Sequence, residues 1–378
     1  MDALFYDNKN LCEIIYLNDL KVMYCKSNST QRSSLPNLRI SEDTLLLTDL
    51  HPRMKSLVIH NNRLVKLNPL PNSITTLICD NNNILKLENL PDSLIILHCA
   101  YNTINRLENL PISLLKLNCS GNIIKELENL PCNLLYLDCS RTYIKELKNL
   151  PPTLLELYCG GTLITKLKNL PDSLYKLDFQ NTLVNKLEKL PINLLKLDCG
   201  QNWIMKLENL PDNLVKLLCN DNLIKKLENI PDKLTILDCS CNIITRLENL
   251  PSRLEYLDCS SNLIIKIENL PNSLVNLNIF LNPVIVIENI PRCLKILSYD
   301  KYIAKKCDNV YLDRIKFTLS GYQAIRRIQW RIHFRHCKKM AAVVMIQRAC
   351  HNWIWKPMCN DGTIGIRPRL DMEALGIL

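Results

Sequence analysis

Residues 94–113 read LIILHCAYNTINRLENLPIS, and the chain repeats this stretch every 20 residues without insertion. Proline falls at 71, 91, 111 and every twentieth position to 291. Leucine holds 57, 77, 97 and each later member of its series to 297. A second apolar series, Met54, Ile74, Leu94 through Leu294, lies three residues earlier. Cysteine stands two residues after the central leucine at 79, 99, 119, 139, 159, 199, 219, 239 and 259. Asparagine stands at 62, 82, 102, 122, 202, 222, 242, 262 and 282. An Ile, Leu or Val follows that position by two, as at Ile124, Ile144 and Ile204. Twelve full units run from Met54 to Cys293, with a final strand at Leu294.

One unit reads L-x-x-L-x-C-x-x-N-x-I-x-x-L-E-N-L-P-x-S. The residues around the central Leu and the Cys alternate with period two, as a half-buried strand requires. Each unit supplies one short strand, and stacked units make one parallel sheet on a concave side. The burial available to 20 residues does not match the entropy of ordering them, so stability comes from the interfaces between neighbouring units. This pattern resembles the leucine-rich repeat, over about residues 47–300. The resemblance implies a curved right-handed solenoid with a parallel concave β-sheet. Twenty residues leave little room for a helix, and the residue before proline is pushed toward extended geometry. The convex side is expected to be extended, with single 3₁₀ turns. The L-E-N-L-P-x-S-L form looks like the short repeats of secreted effectors of enteric bacteria. The Asn- and Lys-rich, Cys-bearing version resembles repeat proteins of giant amoeba-infecting DNA viruses.

Composition agrees with a packed chain. Of 378 residues 47% are hydrophobic, which excludes a disordered polymer, and only 8 are glycine, which argues against glycine-rich nucleotide-binding folds and collagen. The net charge of +10 is unevenly placed. Residues 301–378 hold 15 Lys or Arg and 5 Asp or Glu, so residues 1–300 are neutral. Between Arg314 and Lys356 lie ten basic residues and no acidic one. The first residues lack a basic start and an apolar core of the signal-peptide kind, and no apolar run approaches a membrane helix. A soluble, cytoplasmic protein in a reducing compartment is expected.

The 18 cysteines invite a disulfide or metal reading. Their spacing opposes it: neighbouring strands are about 4.8 Å apart while disulfide Cβ atoms lie near 3.8 Å, and no C-x-x-C occurs. Ile59 and Ile279 hold the same position, so the cysteines are expected to pack as small hydrophobes. No metal and no cofactor is implied. No G-x-S-x-G, phosphate loop or H-E-x-x-H occurs, and an enzyme is not expected. The asparagine amide, donor and acceptor at once, is expected to bond backbone groups of adjacent coils. Thr142, Thr162 and Thr182 replace it in three consecutive units, and Phe179 replaces an inward cysteine. Lys or Arg at 66, 86, 106, 166, 186, 206, 226, 246 and 266, with Glu two residues later at most of them, reads as a solvated convex face.

The better binding candidate is the concave face. Its outward positions give Tyr136, Asp138, Tyr158, Lys176, Asp178, Lys196, Asp198, Asp238, Tyr256 and Asp258. Tyrosine amid adaptable polar groups suits protein recognition, whereas Lys and Asp also neutralise each other across a sheet. Asp178 and Asp198 are adjacent, but nothing completes a cation's ligand shell.

The ends depart from the repeat. Residues 1–46 are expected to form an N-terminal cap, 301–319 a C-terminal cap, 320–356 a basic helix, and 357–378 a tail. Residues 11–21 also look like part of an F-box, a helical ubiquitin-ligase adaptor, which gives an alternative function. In the basic segment Ser320-Gly321-Tyr322-Gln323 fits a capping box, and Pro357 marks a stop. Ile328-Gln329 with His333 and Lys338, and Ile346-Gln347 with His351 and Lys356, resemble the IQ motif, which binds calmodulin and related EF-hand proteins. His replaces the motif's first Arg in both copies, and Phe334 and Asn352 replace its Gly. Ile328, Ile346 and Trp353 are the candidate apolar anchors. A plain docking helix, or one that meets nucleic acid or an anionic membrane, fits the same charge. The expected whole is a non-catalytic interaction scaffold with a partner on the concave face and a calmodulin-like partner on the tail.

Overall fold

A computed structural model describes residues 55–60, 64–67 and 69–299, together with the backbone of the strands Ile14–Leu17, Leu20–Tyr24, Leu38–Ser41, Thr44–Leu47 and Lys316–Phe317. Each L-x-x-L-x-C segment forms one short strand, such as Tyr136–Asp138 or Lys196–Asp198. The strands pair in parallel at an offset of 20 residues, so Leu137 meets Leu117 on one side and Leu157 on the other. They form a sheet of 16 strands that ends, at its N-terminal side, in an antiparallel hairpin. There Leu20–Tyr24 pairs with Ser56–His60, with Val22 opposite Ile59. At the far side Lys316–Phe317 adds in parallel, with Phe317 opposite Leu297, so the interval of 20 continues one step beyond the last leucine.

The interior is a set of columns, one per inward position of the repeat. Leu134, Leu137, Cys139 and Ile144 are fully buried, as are their counterparts in most described coils, and Leu147 is nearly so. Phe179, in a cysteine column, is also fully buried. The thiols contribute direction as well as volume: Cys119 Sγ donates to the Asp138 carbonyl of the next coil at 3.4 Å, and Cys139 donates to that of Tyr158.

Polar columns lock one coil to the next. Asn222 donates its amide to the carbonyls of Cys199, one coil back, and of Cys219 and Asn220 in its own coil, at 2.9–3.1 Å. Its Oδ1 accepts the N–H of Ile204, again one coil back. The only carbonyls to which Thr142, Thr162 and Thr182 donate are those of Cys139, Cys159 and Phe179 in their own coils, so three successive junctions lack this backward link. Thr182 also donates to Asn202 Oδ1 of the following coil at 2.7 Å, which adds to the bond Asn202 already makes to the Phe179 carbonyl. The Ser of P-x-S adds a second clamp: Ser173 Oγ lies 2.7 Å from both the Pro152 and Leu154 carbonyls of the preceding coil.

The convex side corrects one expectation: among the described residues there is no 3₁₀ or α helix. After proline the chain makes a single i→i+3 bond, from Leu94 N–H to the Pro91 carbonyl. A 3₁₀ helix needs a consecutive second bond, but the next N–H, that of Ile95, donates to Thr75 in the preceding coil. The turn therefore stops at one bond and the rest of the arc is extended. Its corner is left-handed at the Asn of E-N-L, for example Asn129 at φ 51° and Asn209 at φ 57°, a conformation that Asn tolerates better than most residues. Lys189 replaces that Asn and does not adopt it. The expected C-terminal helix, 320–356, lies outside the described residues.

Candidate protein-binding face

In each strand the central leucine is buried, and the residues on either side of it project from the concave face. The register turns these into two rows along the solenoid. One row runs Lys116, Tyr136, Glu156, Lys176, Lys196, Lys216, Ile236, Tyr256; the other runs Asn118, Asp138, Tyr158, Asp178, Asp198, Leu218, Asp238, Asp258. All ten concave-face candidates from the sequence stand in these rows. Tyr136, Asp138, Tyr158, Lys176, Asp178, Lys196 and Asp198 come together on four neighbouring strands. Asp238, Tyr256 and Asp258 lie beyond the strand Lys216–Leu218.

Around Glu156 the side chains form a connected cluster. Tyr158 donates its hydroxyl to Glu156 Oε2 at 2.8 Å, and Tyr175 donates to Oε1 of the same carboxylate. Lys176 Nζ lies 3.8 Å from Glu156 Oε2 and 4.7 Å from the centre of the Tyr158 ring. The Tyr136 and Tyr158 rings are 5.3 Å apart and inclined at 43°, an arrangement aromatic pairs favour. Burial, then the hydrogen bond to Glu156, pushes the Tyr175 hydroxyl up to about 12. Burial also raises Tyr136 and Tyr158 well above the ordinary phenol range, so all three stay neutral. Glu156 and Tyr175 were missed by sequence reading. Glu156 occupies an outward row position and was open to it; Tyr175 precedes its strand, and only the coil-to-coil offset brings it to Glu156.

The acidic row is electrostatically strained. Burial and then the neighbouring Asp198 carboxylate raise Asp178 to about 6, although it accepts the Gln180 N–H at 3.1 Å. Burial also raises Asp138, Asp198 and Asp238, partly offset by backbone N–H groups that each accepts. Burial pushes the inward thiols well up, which leaves them protonated. Among the described residues no group of three or more His, Cys, Asp or Glu is arranged to hold a metal ion. Nor is any helix among them long and apolar enough to cross a membrane. The convex charges form exposed pairs, such as Lys206 with Glu208 at 3.9 Å and Lys226 with Glu228 at 3.8 Å, of the kind that contributes little to stability. The tail candidates Ile328, Gln329, His333, Lys338, Ile346, Gln347, His351, Trp353 and Lys356 lie outside the described residues.

Comparison with protein-family models and with curated proteins finds no match. Solved structures do match. YopM from Yersinia enterocolitica WA-314 is 35% identical with a TM-score of 0.61, over 67% of this chain and 61% of that one. The chain thus spans about three fifths of that relative. YopM from Yersinia pestis, described as a leucine-rich effector protein, is 34% identical with a TM-score of 0.63, over 66% of this chain and 73% of that one. The functional domain of InlJ from Listeria monocytogenes, described as including a cysteine ladder, is 23% identical with a TM-score of 0.53, over 66% of this chain and 68% of that one, and shares the fold. The unbroken 20-residue register, the parallel concave sheet and the extent of the similarity to YopM agree: the chain belongs to the leucine-rich repeat family that includes YopM, and its fold is that of a non-catalytic, protein-binding scaffold.

Proposed function

We propose that the chain is an interaction scaffold that captures a protein partner on its concave face, centred on Tyr136, Glu156, Tyr158, Tyr175 and Lys176. The observation that supports this most is the preformed cluster itself. Its tyrosines are held by one carboxylate and by each other before any partner arrives, and rigid aromatic groups lose little entropy on binding. In the full-length chain, Tyr136→Ala with Tyr158→Ala is expected to weaken capture of the partner at least about tenfold, with a melting midpoint close to that of the parent. Lys206→Ala with Glu208→Ala on the convex side is the control. Capture that ignores the two tyrosines would remove this reading.

The tail carries a second reading. The spacing of Ile328-Gln329 and Ile346-Gln347, with their trailing His and Lys, supports binding of a calmodulin-like EF-hand protein. Ile346→Asp puts a charge where an apolar groove would close. It should remove at least half of the calmodulin sites titrated calorimetrically on the full chain; an unchanged titration, or equal binding of any polyanion, leaves only an electrostatic patch. The ubiquitin-ligase adaptor is less well supported, since the stretch likened to a helical F-box contains the strand Ile14–Leu17 and the start of the strand Leu20–Tyr24. The Asn- and Lys-rich repeat with its basic tail fits the repeat proteins of giant amoeba-infecting viruses, and the inward free thiols suit a reducing, cytoplasmic compartment.

A further inference from the structure

The concave face carries two like-charged rows that offset each other only in part: Lys176 and Lys216 lower Asp198, yet burial leaves Asp178, Asp198 and Asp238 raised. Lys176, Lys196 and Lys216 stand in register on three neighbouring strands. Two residues along each strand, Asp178 faces Asp198, and beyond Leu218 Asp238 faces Asp258. Like charges directly opposite each other on adjacent strands are unfavourable. Lys176 is occupied by Glu156 and the Tyr158 ring, whereas Lys196 and Lys216 form no ion pair among the described residues. Burial weakens the ionisation of Asp178, Asp198 and Asp238, and Asp178 is raised further by Asp198. The free face therefore holds charges that an opposing surface would stabilise.

The spacing selects the shape of that surface. The rows step by one strand separation, about 4.8 Å, and lie two strand residues apart, about 6.7 Å. An extended chain laid along them repeats its side about every 6.7 Å and outruns the rows by about 2 Å per coil. An α-helix repeats every 5.4 Å and outruns them by about 0.6 Å, and its width of about 10–12 Å covers both rows. Leu218, in the aspartate row, and Ile236, in the lysine row, stand diagonally on adjacent strands and offer apolar contacts to a helix that covers both rows.

We propose that the face from Lys176 to Asp258 docks an amphipathic α-helix of a protein partner, with acidic side chains along the flank over Lys176, Lys196 and Lys216 and basic side chains along the flank over Asp178, Asp198, Asp238 and Asp258. Four strand steps span about 19 Å, which is about 13 residues of helix. This rests on the concave-face reading and specifies the partner's chemistry.

The probes are fluorescein-labelled designed helices bound to the full-length chain and followed by anisotropy. One carries Glu along one flank, Lys along the other and Leu between; a second has the same residues scrambled; a third has Lys on both flanks. The striped helix should bind at least about tenfold more tightly than the scrambled one, with the margin shrinking as salt rises. Lys196→Glu with Lys216→Glu should reverse the preference toward the helix with Lys on both flanks. Asp238→Asn with Asp258→Asn should weaken the striped helix without adding charge. Equal binding of striped and scrambled helices overturns the proposal, as does equal binding of the all-lysine helix to the unaltered chain, which would mark a plain acidic patch. If the helices show no preference while capture still depends on Tyr136 and Tyr158, the helix proposal falls and the concave-face reading stands. If capture ignores those tyrosines while the striped helix keeps its preference, the tyrosine-centred reading falls alone.

Discussion

The carboxyl of Asp178 has Asp138, Tyr158 and Glu156 to one side, Asp198 and Lys196 to the other, and Lys176 on its own strand. Its folded value of about 6 lies above the ordinary 3.8. The folded chain therefore holds this proton more tightly than the unfolded chain. The sign follows: this group's contribution falls as pH rises from about 4 to about 6, and is constant above that. Asp178→Asn keeps an oxygen for the Gln180 N–H and removes the repulsion, so it should raise stability at pH 7 by about 1–2 kcal/mol. It should also flatten the stability profile between pH 4 and 6, as read from urea midpoints. A variant no more stable at pH 7 than its parent would show that Lys176 and Lys196 already balance the row. At the same scale the inward cysteines are inert by position, since each described one is fully buried and its thiol is pushed far above the range in which thiolates react.

The coil is the element, and its junctions are unequal. Where Asn222, Asn242 or Asn262 stands, one amide joins two coils by donating to a carbonyl one coil back. At Thr142 and Thr162 that bond is absent, and the same coils carry the aromatic cluster. Local opening is cheapest where fewer buried bonds must break. Amide hydrogen exchange across 134–183 should therefore be faster than across 194–263. Thr162→Asn, which restores a donor toward the Cys139 carbonyl, should slow exchange there and stabilise by about 1 kcal/mol. Equal exchange in the two regions, unchanged by the substitution, would separate the cluster from any local loosening. Sequence reading located these altered junctions because Asn-to-Thr exchange is visible in a column of letters. It did not find the serine clamps, or the absence of 3₁₀ helix from the described convex arc, because both depend on a neighbouring coil's carbonyls drawing bonds across the junction.

At the scale of the whole molecule the periods of 20 and of two carried most of the fold: strand positions, inward columns, the parallel register and the rows of the concave face all follow from them. Three features do not. The pairing of Phe317 with Leu297 keeps the interval where Arg314 has replaced the leucine that marks it. Glu156 becomes the centre of a cluster only through Tyr175, which comes from the adjacent coil. Lys216 and Leu218 gain meaning only as links in rows. One consequence follows from the uniform register. Since Leu137, Leu157, Leu177 and their successors meet one another in the same way, the central leucine column does not distinguish one coil from the next. Order along the array resides mostly in outward side chains such as Glu156, Asp198 and Leu218, with Phe179 and the three threonines as the inward exceptions. Loss or duplication of one coil's worth of coding sequence would rejoin the same columns, and would shift the pattern of charges by one place. Heredity can thus rewrite what this protein recognises, by slippage between near-identical segments, while the fold that displays it is inherited unchanged.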